Sequence, residues 1–278
     1  MATISITGGS GRVATLLRPF LRDAGHDVRL LDVVEPSVGL ADGERFEVVD
    51  VTDVDALTDA IAGSDLLVHL ASYPGERTWR EIVDVNIESA HAVHEAAHRA
   101  GVGRVLAASS VHAVGLVPNE RARDVIVPSP RPDSFYGVGK VVLEALGSLY
   151  ADRHGTTVVS ARIMSAEPEP YDERSLGTWL SPADTARLVE AALTTSERGH
   201  HIVWGVSHNT RRAVSLAAGH RIGFYPQDDG ETFAANFPDA SPSTTPRPDV
   251  VGGDFAARPL GEPWDQPSEG GGAGRVSR

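Results

Sequence analysis

Tyr136 and Lys140 stand four positions apart in the stretch Pro132-Asp133-Ser134-Phe135-Tyr136-Gly137-Val138-Gly139-Lys140. A phenol ionises near pH ~10 and is by itself a poor base. A lysine one helical turn further on shares the tyrosine's face. Its ammonium favours the phenolate and can bring that pKa toward neutrality, which would make the tyrosine a usable acid–base group. Ser109 and Ser110, a short way upstream, add hydroxyls that could hold a reacting oxygen. Tyr-x-x-x-Lys alone is a common accident; its meaning comes from what else the chain carries.

Near the N-terminus runs Thr7-Gly8-Gly9-Ser10-Gly11-Arg12-Val13-Ala14, between a β-rich segment and an amphipathic one. Gly8 and Gly11 allow a tight turn and the close approach of a pyrophosphate, whose charge rests on the following helix N-terminus. Ala14 stands where a small residue lets helix and strand pack closely. Asp32 ends the second β-rich segment, about 20 residues beyond the turn, where a carboxylate accepts both adenosine ribose hydroxyls. It would repel a 2′-phosphate, so NAD is expected rather than NADP. Asp50 has two readings, a partner for the adenine amine or a loop or N-cap carboxylate.

These residues need a scaffold, and the hydrophobic pattern supplies one. Short β-rich runs at 4–7, 28–32, 46–49, 66–70, 105–108 and 157–161 alternate with helical patterns at 12–24, 54–62, 82–100 and 135–152. That alternation predicts βαβ units and a parallel sheet covered by helices on both faces. Beyond Arg162 the pattern loosens. Glu167-Pro168-Glu169-Pro170 reads as a loop, and 182–194 as a helix with Ser181 at its N-cap and Pro182 first. Ile202-Val203-Trp204 reads as a short strand, preceded by His200-His201 in a turn. From Asp239 onward Ser, Thr, Pro and Gly dominate, and the last residues read as disordered.

Composition sets the class. The chain has 278 residues, 41% hydrophobic and 23% charged, with a formal net charge of −13 and no cysteine. The acidity argues against nucleic acid and anionic membranes as partners. The lack of cysteine excludes disulfides, thiol nucleophiles and thiolate metal sites. Met1-Ala2-Thr3 leads directly into a strand pattern with no signal-like segment, so a cytoplasmic protein is expected.

Glycine turn, strand, Ser109-Ser110, Tyr136 and Lys140, in that order, resemble the extended, epimerase-like branch of the short-chain dehydrogenase/reductase superfamily. The resemblance implies a Rossmann-type doubly wound parallel sheet with a small C-terminal substrate lobe. The corresponding division is an NAD-binding core over 1–162, a substrate lobe over 163–258 and a tail over 259–278. It also implies roles. Tyr136 would exchange a proton with the substrate hydroxyl, Lys140 would hold the nicotinamide ribose and lower the tyrosine pKa, and Ser110 would bond the reacting oxygen. Asn86, in Asp84-Val85-Asn86-Ile87, matches the superfamily's helix asparagine. The expected cofactor set is Gly8, Gly11, Arg12, Val13, Asp32, Asp50, Val51, Leu70, Ala71 and Asn86, with Tyr136 and Lys140.

A narrower resemblance runs from end to end. Ser109 to Gly115, Arg131-Pro132-Asp133, Arg162 to Ser165, Pro168-Glu169-Pro170, Arg174, Thr178-Trp179, Val203-Trp204-Gly205 and Gly252-Gly253-Asp254-Phe255 are similar to the uronate dehydrogenases. That family oxidises the C1 hemiacetal hydroxyl of glucuronate or galacturonate with NAD to an aldarolactone. The resemblance implies a small sugar acid as substrate, Arg174 as clamp for its carboxylate, Ser165 and His112 as hydroxyl partners, and a homo-oligomer. A guanidinium fork suits a carboxylate. Two positions depart: Val111 replaces an asparagine beside the serine, and Pro74 stands near a serine that faces the sugar. Both would remove hydrogen bonds to hydroxyls, which loosens or redirects selectivity.

Weaker signals complete the reading. His91, His94 and His98 share a helical stretch, the last two at a metal-ligand spacing, but nothing at a plausible spacing completes a site. Trp179 and Trp204 fit a sugar pocket or the core equally well. Two other functions remain open: a nucleotide-sugar epimerase or dehydratase that recycles bound NAD, and a non-catalytic NAD sensor of the same fold.

Overall fold

The structure is a computed structural model in which residues 1–238 and 249–263 are described. Seven strands form one sheet: β1 (Thr3–Thr7), β2 (Asp27–Asp32), β3 (Glu44–Val48), β4 (Leu66–His69), β5 (Arg104–Ser110), β6 (Thr157–Ile163) and, after the short β7 (Ser165–Ala166) and β8 (Trp179–Leu180), β9 (His200–Gly205). Their order across the sheet is β3-β2-β1-β4-β5-β6-β9 and every pairing is parallel. β7 and β8 pair separately, Ser165 opposite Trp179. The α-helices of the described residues are α1 (Arg12–Asp23), α2 (Val54–Ile61), α3 (Trp79–Glu81), α4 (Glu88–Ala100), α5 (Asn119–Asp124), α6 (Phe135–His154), α7 (Ser175–Thr178), α8 (Pro182–Thr194) and α9 (Ala217–Arg221).

Alternation along each strand feeds two apolar layers. Ile4, Ile6, Leu30, Leu66 and Val68 pack against Leu17 and Leu21 of α1 and Leu188 and Val189 of α8. Leu31, Leu67, Val105 and Ala107 face the other way, onto Leu57 and Ile61 of α2, Val93 and Ala97 of α4, and Leu143 of α6. Each side chain of this size taken fully from water contributes about 1.5–3 kcal/mol, so the two layers hold the helices on the sheet. The strand order reverses between β1 and β4. In such sheets the crevice at that switch point, at the carboxyl ends of the strands, receives ligands.

The predicted strands and helices are found, with three differences. The helix expected over 82–100 begins at Trp79, where Thr78 and Glu81 make a reciprocal capping box, and widens into a π-turn over Ile82–Ile87 before α4. His200 and His201 open β9 rather than a turn, because they pair with Val158 and Val159 of β6, and His200 also bonds Ser160 Oγ at 2.9 Å. The segment beginning at 259 starts within the described residues: the Gly261 N–H donates to Glu76 Oε1 at 2.9 Å. The expected disorder of the last residues lies outside the described ones. The helix expected over 182–194 forms with those bounds, with Ser181 Oγ accepting the Asp184 N–H. No helix among the described residues is long and apolar enough to cross a membrane.

Candidate active site

The carboxyl edge of the sheet collects the residues that matter. β1 ends at Thr7 and turns through Gly8, whose φ of +70° suits glycine, and a Cβ there would lie 2.7 Å from the Ala71 nitrogen. Gly9 is flush with Leu30 in the same way. Gly11 precedes α1 and gives it no side-chain cap. The first turn of α1, with Arg12 and Val13, therefore offers its N–H groups and positive dipole end to an anion. This cradle fits the pyrophosphate of NAD, with Leu70 and Ala71 closing it from β4.

Asp32 is held as an acceptor: Oδ2 takes the Ser10 N–H at 3.0 Å, and Oδ1 takes those of Val33 and Val34 at 2.8 and 3.3 Å. Arg29 points to the other side, donating to the Ala60 and Ala62 carbonyls, so it brings no cation to a 2′-phosphate. Asp50 is exposed and accepts from Thr52 N and Oγ1 at 2.9 and 2.7 Å, with Val51 beside it; the cap of α2 is Asp53 instead. Asn86 is buried in the π-turn, and both ends of its amide hold the Tyr73 backbone, at 2.8 and 3.2 Å. Its side chain thus fixes the 71–76 loop that faces the cofactor cradle. Arg12 Nη1 lies 2.6 Å from Glu167 Oε1, which ties that cradle to the proline-rich loop. Burial pushes the Glu167 carboxyl up, and the Arg12 charge works against that shift.

The candidate catalytic groups sit where β5 and α6 meet. Ser110 ends β5 and its Oγ accepts the His112 N–H at 3.2 Å. Ser134 caps α6 through Gly137 N at 2.9 Å, a bond type that contributes about 1 kcal/mol. Tyr136 and Lys140 are buried on one face of α6, with Nζ 5.3 Å from the tyrosine ring centroid. Nζ donates to Ser72 Oγ at 3.0 Å and to the Ala108 carbonyl at 2.8 Å. Burial brings the lysine down to about 8.

Tyr136 does not follow the expected shift toward neutrality. Burial pushes its phenol up to about 12, against a lowering by the Ser110 hydrogen bond, and the Asp133 charge adds to the rise. Desolvation of the phenolate outweighs the neighbouring ammonium, whose hydrogen bonds go to Ser72 and Ala108.

His112 and Arg174 flank the segment 251–255, and Ser165 meets the end of α7. His112 Nδ1 meets Asp133 Oδ2 at 2.8 Å, and its ring lies 4.0 Å from the Phe255 ring and 5.8 Å from Tyr136 by centroids. Arg174 opens α7, half-buried, with Nη2 donating to the Val251 carbonyl at 2.7 Å. Ser165 is buried and bonds Thr178 Oγ1 at 2.9 Å. Val111 packs with Val114, Val117 and Trp204 in an apolar cluster, and Pro74 is exposed. Trp204 belongs to that core. Trp179 supports the proline-rich loop, its Nε1 donating to the Glu167 carbonyl at 2.8 Å.

The histidines lie elsewhere. Buried His94 stacks on Tyr150 and His98 stacks on His154. Among the described residues no group of three or more His, Asp or Glu could hold a metal.

Several supporting residues carry no local signal. Glu76 is 1% exposed and accepts the N–H groups of Phe135 and Tyr136 at 3.1 and 2.9 Å. Glu144, on α6, takes both Nε and Nη2 of Arg162 at 2.8 Å and the Ser109 hydroxyl at 2.6 Å, bracing the end of β5 from behind. Phe255 arrives from the far end of the chain. Of these, Glu144 had a faint signal, four residues after Lys140 on the same helical face.

Comparison with known proteins agrees with this layout. The chain is 38% identical over 237 residues to the uronate dehydrogenase of Pseudomonas syringae pv. tomato, covering 85% of this chain and 86% of that one. It is 36% identical to an L-arabinose 1-dehydrogenase (NAD(P)(+)) of Haloferax volcanii, covering 84% and 99%. Among solved structures, a mutant uronate dehydrogenase from Agrobacterium tumefaciens complexed with NAD superposes with a TM-score of 0.85 at 30% identity, covering 93% and 98%. Residues 4–211 match the model of the NAD dependent epimerase/dehydratase family. With its glycine turn, Asp32 and the Ser110, Tyr136 and Lys140 group on one sheet edge, this chain belongs to the NAD dependent epimerase/dehydratase family and, within it, to the NAD-dependent dehydrogenases of the extended short-chain type.

Proposed function

We propose that the protein oxidises the C1 hemiacetal hydroxyl of a hexuronic acid, glucuronate or galacturonate, to the aldarolactone with NAD. The observation that supports this reading is that Arg174 and His112 flank one segment: Arg174 Nη2 holds the Val251 carbonyl, and Phe255 of the same segment lies against the His112 ring beside Tyr136. One guanidinium N–H is used on Val251, which leaves the rest of the fork for a carboxylate.

Gly8, Gly11, Arg12 and Val13 would hold the pyrophosphate, Asp32 the adenosine ribose, and Asp50, Val51, Leu70 and Ala71 the flanks of the adenine and cradle. Asn86 would act through the 71–76 loop. NAD, when bound, accepts the hydride and brings a positively charged ring into the crevice. Tyr136 takes the proton from the C1 hydroxyl while Ser110 donates to the same oxygen. Lys140 holds the nicotinamide ribose and keeps positive charge near the phenolate. Burial pushes the Tyr136 phenol up to about 12 in the protein alone, and positive charge near the ring would favour its phenolate.

The test is NADH formation at 340 nm with glucuronate, galacturonate, glucose and galactose, each with NAD and NADP, and with Tyr136→Phe as the blank. The acids alone should react, and the variant should lose at least about a thousandfold. Equal turnover of neutral sugars would replace this reading with that of an aldose dehydrogenase.

A further inference from the structure

His112, packed against Phe255 and Tyr136, is bonded at Nδ1 to a carboxylate shut away from solvent. The Asp133 side chain is 0% exposed. Its Oδ2 faces His112 Nδ1 at 2.8 Å, and its Oδ1 accepts from Ser134 Oγ at 2.9 Å. Ser134 in turn caps the helix that carries Tyr136. Gly115 and Gly252 lie flush against the carboxylate, so that any side chain at either position would strike it. Three backbone bonds lace the surrounding segments together: Leu116 to Arg131, Arg131 to Ala113, and Gly252 to Gly115. A carboxylate this deep is costly unless its oxygens are satisfied. Helix capping accounts for Oδ1 and Ser134. It does not account for Oδ2 and His112.

We propose that Asp133 is a positioning residue that fixes His112 as its Nδ1–H tautomer and so presents Nε2 to a sugar hydroxyl as a hydrogen-bond acceptor. An ionised carboxylate has only acceptor sites, so the nitrogen facing it must carry the proton. The other ring nitrogen is then a lone-pair acceptor, the same logic by which a buried aspartate sets the tautomer of a catalytic histidine. Phe255 on one face of the ring and Tyr136 at its edge prevent it from turning away. Because Asp133 also bonds Ser134, the histidine and the tyrosine are registered against one common carboxylate.

The inference takes its substrate from the uronate reading, and its test separates the two. Long-range ¹⁵N–¹H correlation spectra of the unsubstituted protein, at a pH where the ring is neutral and without substrate, read the tautomer directly. His112 should be protonated at Nδ1; protonation at Nε2, or an even mixture, would overturn the proposal. Asp133→Asn keeps the shape but turns an N–H toward Nδ1, which should switch His112 to the Nε2–H form. The KM of whichever sugar the substrate panel identifies should then rise about tenfold or more, with a smaller change in kcat and no change in the Kd of NAD. An unchanged tautomer together with an unchanged KM would also overturn it. Should the variant fail to fold, the spectrum of the unsubstituted protein still decides. Failure of uronate oxidation with the Nδ1–H form intact would count against the substrate, not against Asp133.

Discussion

Glu76 Oε2 accepts the backbone N–H of Tyr136 at 2.9 Å, from 60 residues earlier in the chain. Its Oε1 accepts Phe135 N and Gly261 N at 3.1 and 2.9 Å. One buried carboxylate therefore sits on the positive end of α6 and fastens a distant segment to it. Replacing it by alanine would leave these donors unsatisfied and remove the favourable charge–dipole contact. Glu76→Ala should lower the unfolding free energy by about 2–4 kcal/mol, measured by urea denaturation. Glu76→Gln, which keeps one acceptor, should lose less.

Lys140 links catalysis to stability. Its folded pKa is about 8, below the ordinary 10.5, because burial disfavours the ammonium. Between those two values the unfolded chain binds more protons, so stability rises with pH there. Below pH 8 the full penalty is present, about 3 kcal/mol. Without cofactor, Lys140→Met should be more stable than the parent at neutral pH, and the advantage should shrink as pH rises toward 10.5. Urea unfolding of both proteins at several pH values checks this. The same substitution should abolish turnover, a stability–activity trade of a familiar kind.

His94 predicts the opposite end of the pH range. Burial, then the charge of His200, brings its imidazole from 6.5 down to about 4. The unfolded chain therefore binds the extra proton between those values. The stability associated with neutral His94 is intact above pH 6.5 and is lost as pH falls toward 4, by about 3 kcal/mol. His94→Phe keeps an aromatic ring against Tyr150 and should flatten that acid slope in thermal melts. Some slope should persist, since buried His69 is shifted in the same direction.

The scaffold was legible because its signals are local. The buried strands read as short apolar runs, Gly8, Asp32 and Ser110 stand at or just past the ends of those runs, and Tyr136 and Lys140 follow from their spacing on one helix. The supports were not legible, because each is a pairing across a long stretch of chain: Glu76 with Tyr136, Glu167 with Arg12, Phe255 with His112. No periodicity encodes such contacts. The π-turn around Asn86 has no composition signal either, and the strand at His200 has none because its pairing partner, Val158, lies far away in the chain. For Tyr136 the spacing reveals the nearby charge but not the depth of burial that opposes it.

In the proposed function Arg174 selects an acid over a neutral sugar. The most direct measurement is the ratio of kcat/KM for glucuronate to that for glucose, in the parent protein and in Arg174→Leu. Loss of a charge-assisted clamp on a carboxylate should cost about 2–4 kcal/mol of transition-state binding, or roughly 30- to 1,000-fold. A large ratio in the parent should collapse by that factor in the variant, with the rate on glucose little changed. A ratio near one in the parent, or a high ratio that survives the loss of Arg174, would contradict it.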